Sequence, residues 1–356
     1  MDRTLMLCRH VYNAALGERR EAWHMRGISV SYYQQKAELP GVKAAMPEYA
    51  EVHSQVLQDV VWRVDRAFQA FFRRVQAGEK PGYPRFQGRC RYNSFTYPQF
   101  DNGARLDNGV LVLSKIGRVA LRLHRPIEGM PKTVTISREA DGWYACISCA
   151  DVPVCPLPPT GQETGIDVGL KVFLVTAQGA VVENPRYLRR GERHLKRAQQ
   201  RVSRRKKGSH RRAKAVGLLR KAHQDIARQR SDFHHKTALA LVRQNDTIYL
   251  EDLRVANMVR HHALAKSISD AGWARFRSIL EAKAVWAGRR VVAVPPAYTT
   301  QDCSQCGERV PKSFSVRTHI CPSCGYLADR DVNAARNVLR AGQARQGAGA
   351  LAPALN

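Results

Sequence analysis

The sequence predicts an α+β multidomain protein: a helical region, then a small antiparallel sheet or barrel, then a region in which strands alternate with helices. Three observations carry this expectation. The 356 residues exceed the size at which one hydrophobic core stops growing. At GEKPGYPRF, residues 78–86, the apolar pattern changes from three- and four-residue steps to short strands bounded by turn signals. Near the far end, CSQCGERVPKSFSVRTHICPSC places fourteen residues between two CxxC pairs, the spacing of a four-cysteine metal site.

The charge narrows the class of partner. Lys and Arg number 58 against 30 Asp and Glu, a formal charge of +28, and self-repulsion of that size calls for a polyanion, nucleic acid first. No apolar run approaches the roughly 18–20 residues of a spanning helix and the N-terminus lacks a signal-peptide core, so no membrane partner is expected. An odd count of nine cysteines argues for metal binding by a subset and against a disulfide framework.

The first 80 residues read as helical. LMLCRHVYNAALGERREAW forms one helix, and in SQVLQDVVWRVDRAFQAFFRRV a stripe of Leu57, Val60, Val61, Val64, Phe68, Phe71 and Val75 follows a Ser54 cap. Residues 81–160 read as strands: GVLVL and RVALRL flank a turn at Gly117, and TVTISRE and WYACISCADV flank an Asp141-Gly142 turn. PGYPRFQGRCRYNSFTYPQF interleaves aromatics with arginines, a pattern that suits base stacking but more often fills a core. Cys146 and Cys149, three apart on a strand, point to opposite faces and have no second pair nearby, so they are not expected to bind metal.

PVCPLPPTGQE reads as a Pro-rich linker, and TGIDVGLKVFLVTAQGAVVEN as three short strands. Residues 189–230 then carry 17 Lys and Arg against Glu192 and Asp225. Phosphate-backbone binding is the favoured reading of such density, without base specificity, and the densest group is Arg204, Arg205, Lys206, Lys207, Arg211, Arg212 and Lys214. Helices around DFHHKTALALVRQN and WARFRSILEAKAVWAG precede the strands DTIYLEDL and RVVAVPP; DVNAARNVLRAG reads as a last helix stopped by Gly342, and 343–356 as a disordered tail.

Two metal sites are expected. Cys303, Cys306, Cys321 and Cys324 close a tetrahedral, structural Zn2+ site, with Gly307 and Gly325 letting the backbone turn its amides toward the sulfurs; His319 is superfluous to a full shell. Asp167 in a strand, Glu251 at a strand end, and Asp329 and Asp331 at a helix start are acids far apart in sequence, the requirement for a phosphoryl-transfer site holding two Mg2+ ions roughly 3.5–4 Å apart. Asp252 points to the other face of its strand, and Asp331 also suits an N-cap.

These residues resemble the TnpB family, insertion-sequence-associated proteins regarded as ancestors of type V CRISPR effector nucleases. The likeness rests on GIDVGL, SRRKKGSHRRAKA, ARQRSDFHHK, LEDL, VPPAYTTQDCSQCG and CPSCGYLADRDVNAARN, with CRHVYNAAL, GYPRF and SFTYPQ in the first half. The resemblance implies a helical recognition lobe (1–80), a wedge-type β-barrel (81–160), and a RuvC-like nuclease of RNase H fold (161–300 and 326–342) with an inserted, target-binding zinc ribbon (301–325). It implies catalytic acids at Asp167, Glu251 and Asp331, with Asp329 as the spare for the third. It implies, further, an RNA-guided DNA endonuclease of a mobile element, in a prokaryotic cytoplasm at the nucleoid, using a guide RNA from the element's end to cut double-stranded DNA beside a flanking motif, with no small-molecule substrate. Family members usually carry a further strand-forming segment before the CRHVYNAAL helix, which here lies almost at residue 1. A non-cleaving RNA-guided regulator and a DNA-joining transposase are the alternatives, and the filled acid positions favour cleavage.

Overall fold

The computed structural model describes residues 1–89, 91–313 and 316–350, the last four by their backbone. The chain divides into two compact units, Met1–Pro153 and Val154–Asn356, and the division falls at the Pro-rich stretch.

The first unit opens with α1 (Asp2–Arg26), α2 (Tyr32–Ala45) and α3 (Ser54–Gln76). Gly27 takes a left-handed φ of 64° and returns its N–H to Trp23, ending α1; a Ser31–Gln34 capping box starts α2. On α3 the stripe buries Leu57, Val60, Val61 and Val64, while Val75 lies beyond the core and is exposed. The expected Ser54 cap is not formed: His53 precedes the helix, and the Ser54 hydroxyl instead accepts from Lys43 Nζ at 2.9 Å.

The strands β1 (Ser94–Tyr97), β2 (Ala104–Asp107), β3 (Val110–Leu113), β4 (Gly117–Ala120), β5 (Met130–Arg138) and β6 (Trp143–Ala150) make two antiparallel sheets, β1-β5-β6 and β2-β3-β4. Both predicted hairpins are present. The pairings among these strands leave the two ladders separate, without a closed ring, and Phe95, Tyr97, Leu111, Leu113, Val134 and Ile136 fill a core shared with α1 and α3. The aromatic run therefore splits: Tyr92, Phe95 and Tyr97 are core, while Tyr83 and Phe86 stay half exposed.

In the second unit the expected linker is anchored. Asp246 accepts the N–H groups of Thr160 and Gly161, and Arg289 pairs with Asp246 at 2.7 Å while donating to the Pro158 carbonyl. From there run β7 (Glu163–Val168), β8 (Val172–Thr176), β9 (Val181–Glu183), α4 (Tyr187–Ser203), α5 (His210–Gln244), β10 (Thr247–Glu251), α6 (Val255–Met258), α7 (Ala265–Ala271), α8 (Trp273–Trp286), β11 (Arg290–Val294), β12 (Thr318–Ile320), β13 (Leu327–Asp329) and α9 (Arg330–Ala350). Five of the strands form one sheet in the order β11-β10-β7-β8-β9, with β7, β10 and β11 parallel and β7, β8 and β9 antiparallel.

The period of two along a strand decides what each face does. Ile166, Ile248 and Leu250 point into a core with Leu241, Val242, Phe276 and Leu280 of α5 and α8. Gly165 and Asp167, and likewise Tyr249 and Glu251, face the other way, toward α9. Gly165 is bare because a Cβ there would lie 2.1 Å from the Ala335 carbonyl. Gly342 does not stop the last helix, which continues through residue 350 across the first part of the expected tail; 351–356 lie outside the described residues. A helical glycine costs only about 1 kcal/mol. A Cβ at Gly342 would sit 1.9 Å from the Tyr249 ring, so this glycine lets α9 lie close against the sheet. No helix among the described residues is long and apolar enough to cross a membrane.

Candidate active site and metal centre

Asp167 and Glu251 lie near the ends of two neighbouring parallel strands. The last registered pair is Leu250 with Ile166, so one further step sets Asp167 beside Glu251 on strands about 4.8 Å apart. The third acid comes from the helix packed on that face. Asp329 Oδ1 accepts the backbone N–H groups of Asp331 at 2.8 Å and Val332 at 3.3 Å, so Asp329 caps α9. Capping thus falls to Asp329, and the Asp331 carboxylate is left to other partners, Arg317 Nη1 at 3.0 Å and Arg330 Nη2 at 3.1 Å.

The electrostatics are those of an anionic cluster at the ends of two inner strands. Burial holds the Asp167 carboxyl well above its usual range, and the charges of Glu251, Asp331 and Asp329 push it further, with Arg330 acting against them. Burial also raises Glu251, opposed by the hydrogen bond from Thr299 Oγ1. Partly buried carboxylates are donors suited to hard divalent cations, but the oxygens of Asp167, Glu251 and Asp331 do not all lie within 4.8 Å of one another, so these side chains are less closely drawn together than the cysteines.

The residues around the acids were not signalled by composition or periodicity. Thr299 fixes Glu251, and its own carbonyl accepts from Asn337 Nδ2 at 2.9 Å. Asn333, fully buried, donates to the Asp302 carbonyl at 2.8 Å and accepts from Ser304 N–H at 2.9 Å. These two asparagines, one helical turn apart on α9, tie the start of the cysteine segment to the helix that carries Asp331. Their i,i+4 spacing in DVNAARN was the available signal. Asp252 points away, as expected, and pairs with Arg277 at 2.5 Å.

Cys303, Cys306, Cys321 and Cys324 bring their sulfurs within 4.8 Å of one another and can bind a metal ion; they are the sole such group of three or more among the described residues. Cys303–Cys324 and Cys306–Cys321 are 3.7 and 3.5 Å apart, against about 3.8 Å for the edge of a tetrahedron with 2.3 Å metal–sulfur bonds. Gly307 and Gly325 take φ values of 86° and 69°, and their N–H groups return to the carbonyls of Cys303 and Cys321. The fit is therefore good in both spacing and knuckle geometry. His319 lies outside the group, beside Lys312. Cys146 and Cys149 take no part.

The basic run forms an antiparallel hairpin of α4 and α5, drawn close where Gly191 meets Ile226. Arg204, Arg205, Lys206 and Lys207 form its exposed tip, and Arg211 and Lys214 continue it along α5. Arg212 differs: its guanidinium donates to the carbonyls of Val202 and Arg205 at 2.8 and 2.9 Å, closing the end of α4.

Residues 147–262 match the family model described as a probable transposase, and residues 273–338 match the Cas12f1-like TNB domain. A putative RNA-guided DNA endonuclease of Streptomyces pristinaespiralis is 37% identical over 98% of this chain and 87% of its own. The putative RNA-guided DNA endonuclease InsQ of Escherichia coli (strain K12) is 32% identical over 97% of this chain and 89% of its own. TnpB-like protein L79 of Acanthamoeba polyphaga mimivirus is 28% identical over 61% of this chain and 45% of its own. With two acids at adjoining strand ends, a third at a helix start, and near full-length identity of this order, the chain belongs to the TnpB family of RNA-guided DNA endonucleases.

Proposed function

We propose that the second unit is a RuvC-like nuclease of RNase H fold, in which Asp167, Glu251 and Asp331 hold two Mg2+ ions and hydrolyse a DNA phosphodiester, and that the four cysteines hold a structural Zn2+. The observation that carries this is the convergence of Asp167 and Glu251 on neighbouring strands with α9 packed on their face. The sheet order, with β7 central and β10 and β11 parallel to it, supports the fold assignment. The two ions supply activation of the attacking water and compensation of charge on the leaving oxygen.

The chain's own residues set the geometry. Asp167, crowded by acids with Arg330 acting against them, would gain most from a bound cation, because burial and its acidic neighbours disfavour its ionised form. Thr299 orients Glu251, Asp329 fixes the helix start, and Asn333 and Asn337 hold the zinc ribbon against that helix. Arg317 and Arg330 lie against Asp331 and compensate the charge of the carboxylate that would hold a cation.

In this reading the first unit is a helical recognition lobe followed by a wedge domain, and the ribbon touches target nucleic acid. A guide RNA from the element's end runs along the basic hairpin, where Arg204, Arg205, Lys206, Lys207, Arg211 and Lys214 meet phosphates and Arg212 shapes the tip. Base pairing selects the double-stranded target beside a short flanking motif. The protein acts in the cytoplasm at the nucleoid.

The deciding experiment expresses the protein with its native flanking DNA, sequences the RNA that co-purifies, and offers the complex a matching target with Mg2+. A single RNA species and cutting that Asp167→Ala abolishes are expected. Heterogeneous RNA, or full cutting by Asp167→Ala, would overturn the assignment.

A further inference from the structure

Beside the acids lies an open pocket of about 320 Å³ whose charges, Arg317 apart, have no part in the site so far described. Lys171 in the β7–β8 connection, Arg186 and Arg189 around the start of α4, Lys266 on α7 and Arg317 before β12 all line it. Five cations from four segments of the second unit thus face one space. The acid in the lining, Asp270, is already committed: it accepts the Leu188 N–H at 2.9 and 3.2 Å and lies 4.0 Å from Arg230. Lys266 is paired with Glu192 at 2.5 Å, but both side chains are half exposed, and such a pair is weak enough to exchange. Arg186 Nη2 donates to the Lys171 carbonyl at 3.3 Å, joining two of the segments, and its backbone stands at φ 50°. A non-glycine residue seldom takes that conformation, and here it turns the chain from β9 into α4.

The pocket communicates with the acids through one side chain. Arg317 lines it and also places Nη1 3.0 Å from Asp331 Oδ2. Whatever anion sits in the pocket is therefore about one arginine away from the third carboxylate. Among the described residues no aromatic ring is in the lining, which removes a stacking platform for a base, whereas guanidinium and ammonium groups are the usual partners of phosphate oxygens.

We infer that this pocket binds a backbone phosphate of the DNA strand being cut, adjacent to the scissile phosphate, and so registers that strand over the acids. The inference rests on the nuclease reading above. Acids that hold cations bind the reacting phosphate, but they do not keep the strand from sliding by one nucleotide; a second grip on a phosphate on the same side does. Lys171 and Arg189 are exposed, touch none of the acids, and are positioning residues here.

The test uses the assembled protein–RNA complex and a target whose cut strand carries a neutral methylphosphonate at one position at a time. In the wild type, one position next to the cut should slow single-turnover cleavage about tenfold, the worth of one charge-assisted hydrogen bond. A Lys171→Ala variant should cut the unmodified target about tenfold more slowly, with its RNA binding and melting temperature unchanged, and should show no further loss at that same position. If the losses multiply, the pocket does not hold that phosphate and the inference is overturned; cutting at the wild-type rate by the variant overturns it equally. A complex that binds target but never cuts would instead sink the nuclease reading. The pocket would then be judged by the salt dependence of target binding, whose slope should fall by about 0.7 for each single-strand phosphate that the variant no longer neutralises, and must change for the inference to stand.

Discussion

The carboxylate of Asp329 accepts the backbone N–H of Asp331 at 2.8 Å, so two acids separated by one arginine share a helix start and divide its work. One shapes the backbone. The other keeps its carboxylate free of the cap and pairs it with Arg317 and Arg330.

That division separates the two variants. Asp331→Asn should reduce cutting at least about a hundredfold with the melting temperature intact, since a preorganised charge is lost and the cap is not. Asp329→Asn should cut nearly as the wild type, because Asn caps as well as Asp, whereas Asp329→Ala should lose about 1 kcal/mol of stability. Cleavage rates and denaturant unfolding of the three proteins check this; equal losses of cutting at both positions would refute the division.

Gly342→Ala should reverse the ordinary helix preference. Replacing a helical glycine by alanine commonly gains up to about 1 kcal/mol. Here the new Cβ meets the Tyr249 ring, and overpacking of this kind should destabilise the protein by about 1–3 kcal/mol and slow cutting as α9 shifts Asp331. Urea unfolding gives the sign directly.

Cys303→Ser should release zinc and lower activity indirectly. The near end of the cysteine segment holds Thr299, which hydrogen-bonds Glu251, and Asp302, whose carbonyl takes Asn333 and Asn337. Metal analysis should find one zinc per chain in the wild type and none in the variant, while Cys146→Ser retains the full amount.

His234 sets a pH dependence unrelated to catalysis. Its ring packs against Phe173, Phe233 and Phe276, its Nε2 donates to the Ala271 carbonyl at 2.9 Å, and burial pushes its pKa down from 6.5 to about 4. Between those values the unfolded chain binds the proton and the folded one does not. Stability is therefore full above about pH 6.5 and falls as pH drops toward 4, by roughly 3 kcal/mol at most. His234→Gln should flatten that part of the stability–pH curve; an unchanged slope between wild type and variant would exclude the histidine as its source.

The cysteine group and the placement of Asp167 and Glu251 on neighbouring strands were legible in the sequence because each belongs to a short local motif: two CxxC pairs, GIDVGL and LEDL. Gly342 was misread for the complementary reason. As local punctuation it ends a helix, but its reason for being there is the ring of Tyr249, which arrives from a distant strand. Arg212 shows the same limit, since a count of charges gives density but not direction, and its guanidinium turns inward on the end of α4. The two separate sheets of the first unit, in place of a ring, depend on which strand edges meet, and alternation along single strands does not encode that. Between Asp329 and Asp331 only backbone geometry assigns the cap.

Strand β7 contributes Asp167 and is completed by a helix that begins 163 positions further along, at Arg330. Chains emerge from the ribosome in order, and their early segments fold while later ones are still unmade. The β7–β8–β9 meander can settle from its sequence neighbours, and β10 then adds Glu251, but the third carboxylate arrives only with α9. In the proposed active site a half-translated chain therefore lacks its third acid however well the first two are placed. On the proposed reading, competence to break DNA comes with the closing helix, so a ribosome working beside the encoding gene would carry a harmless precursor until that helix docks.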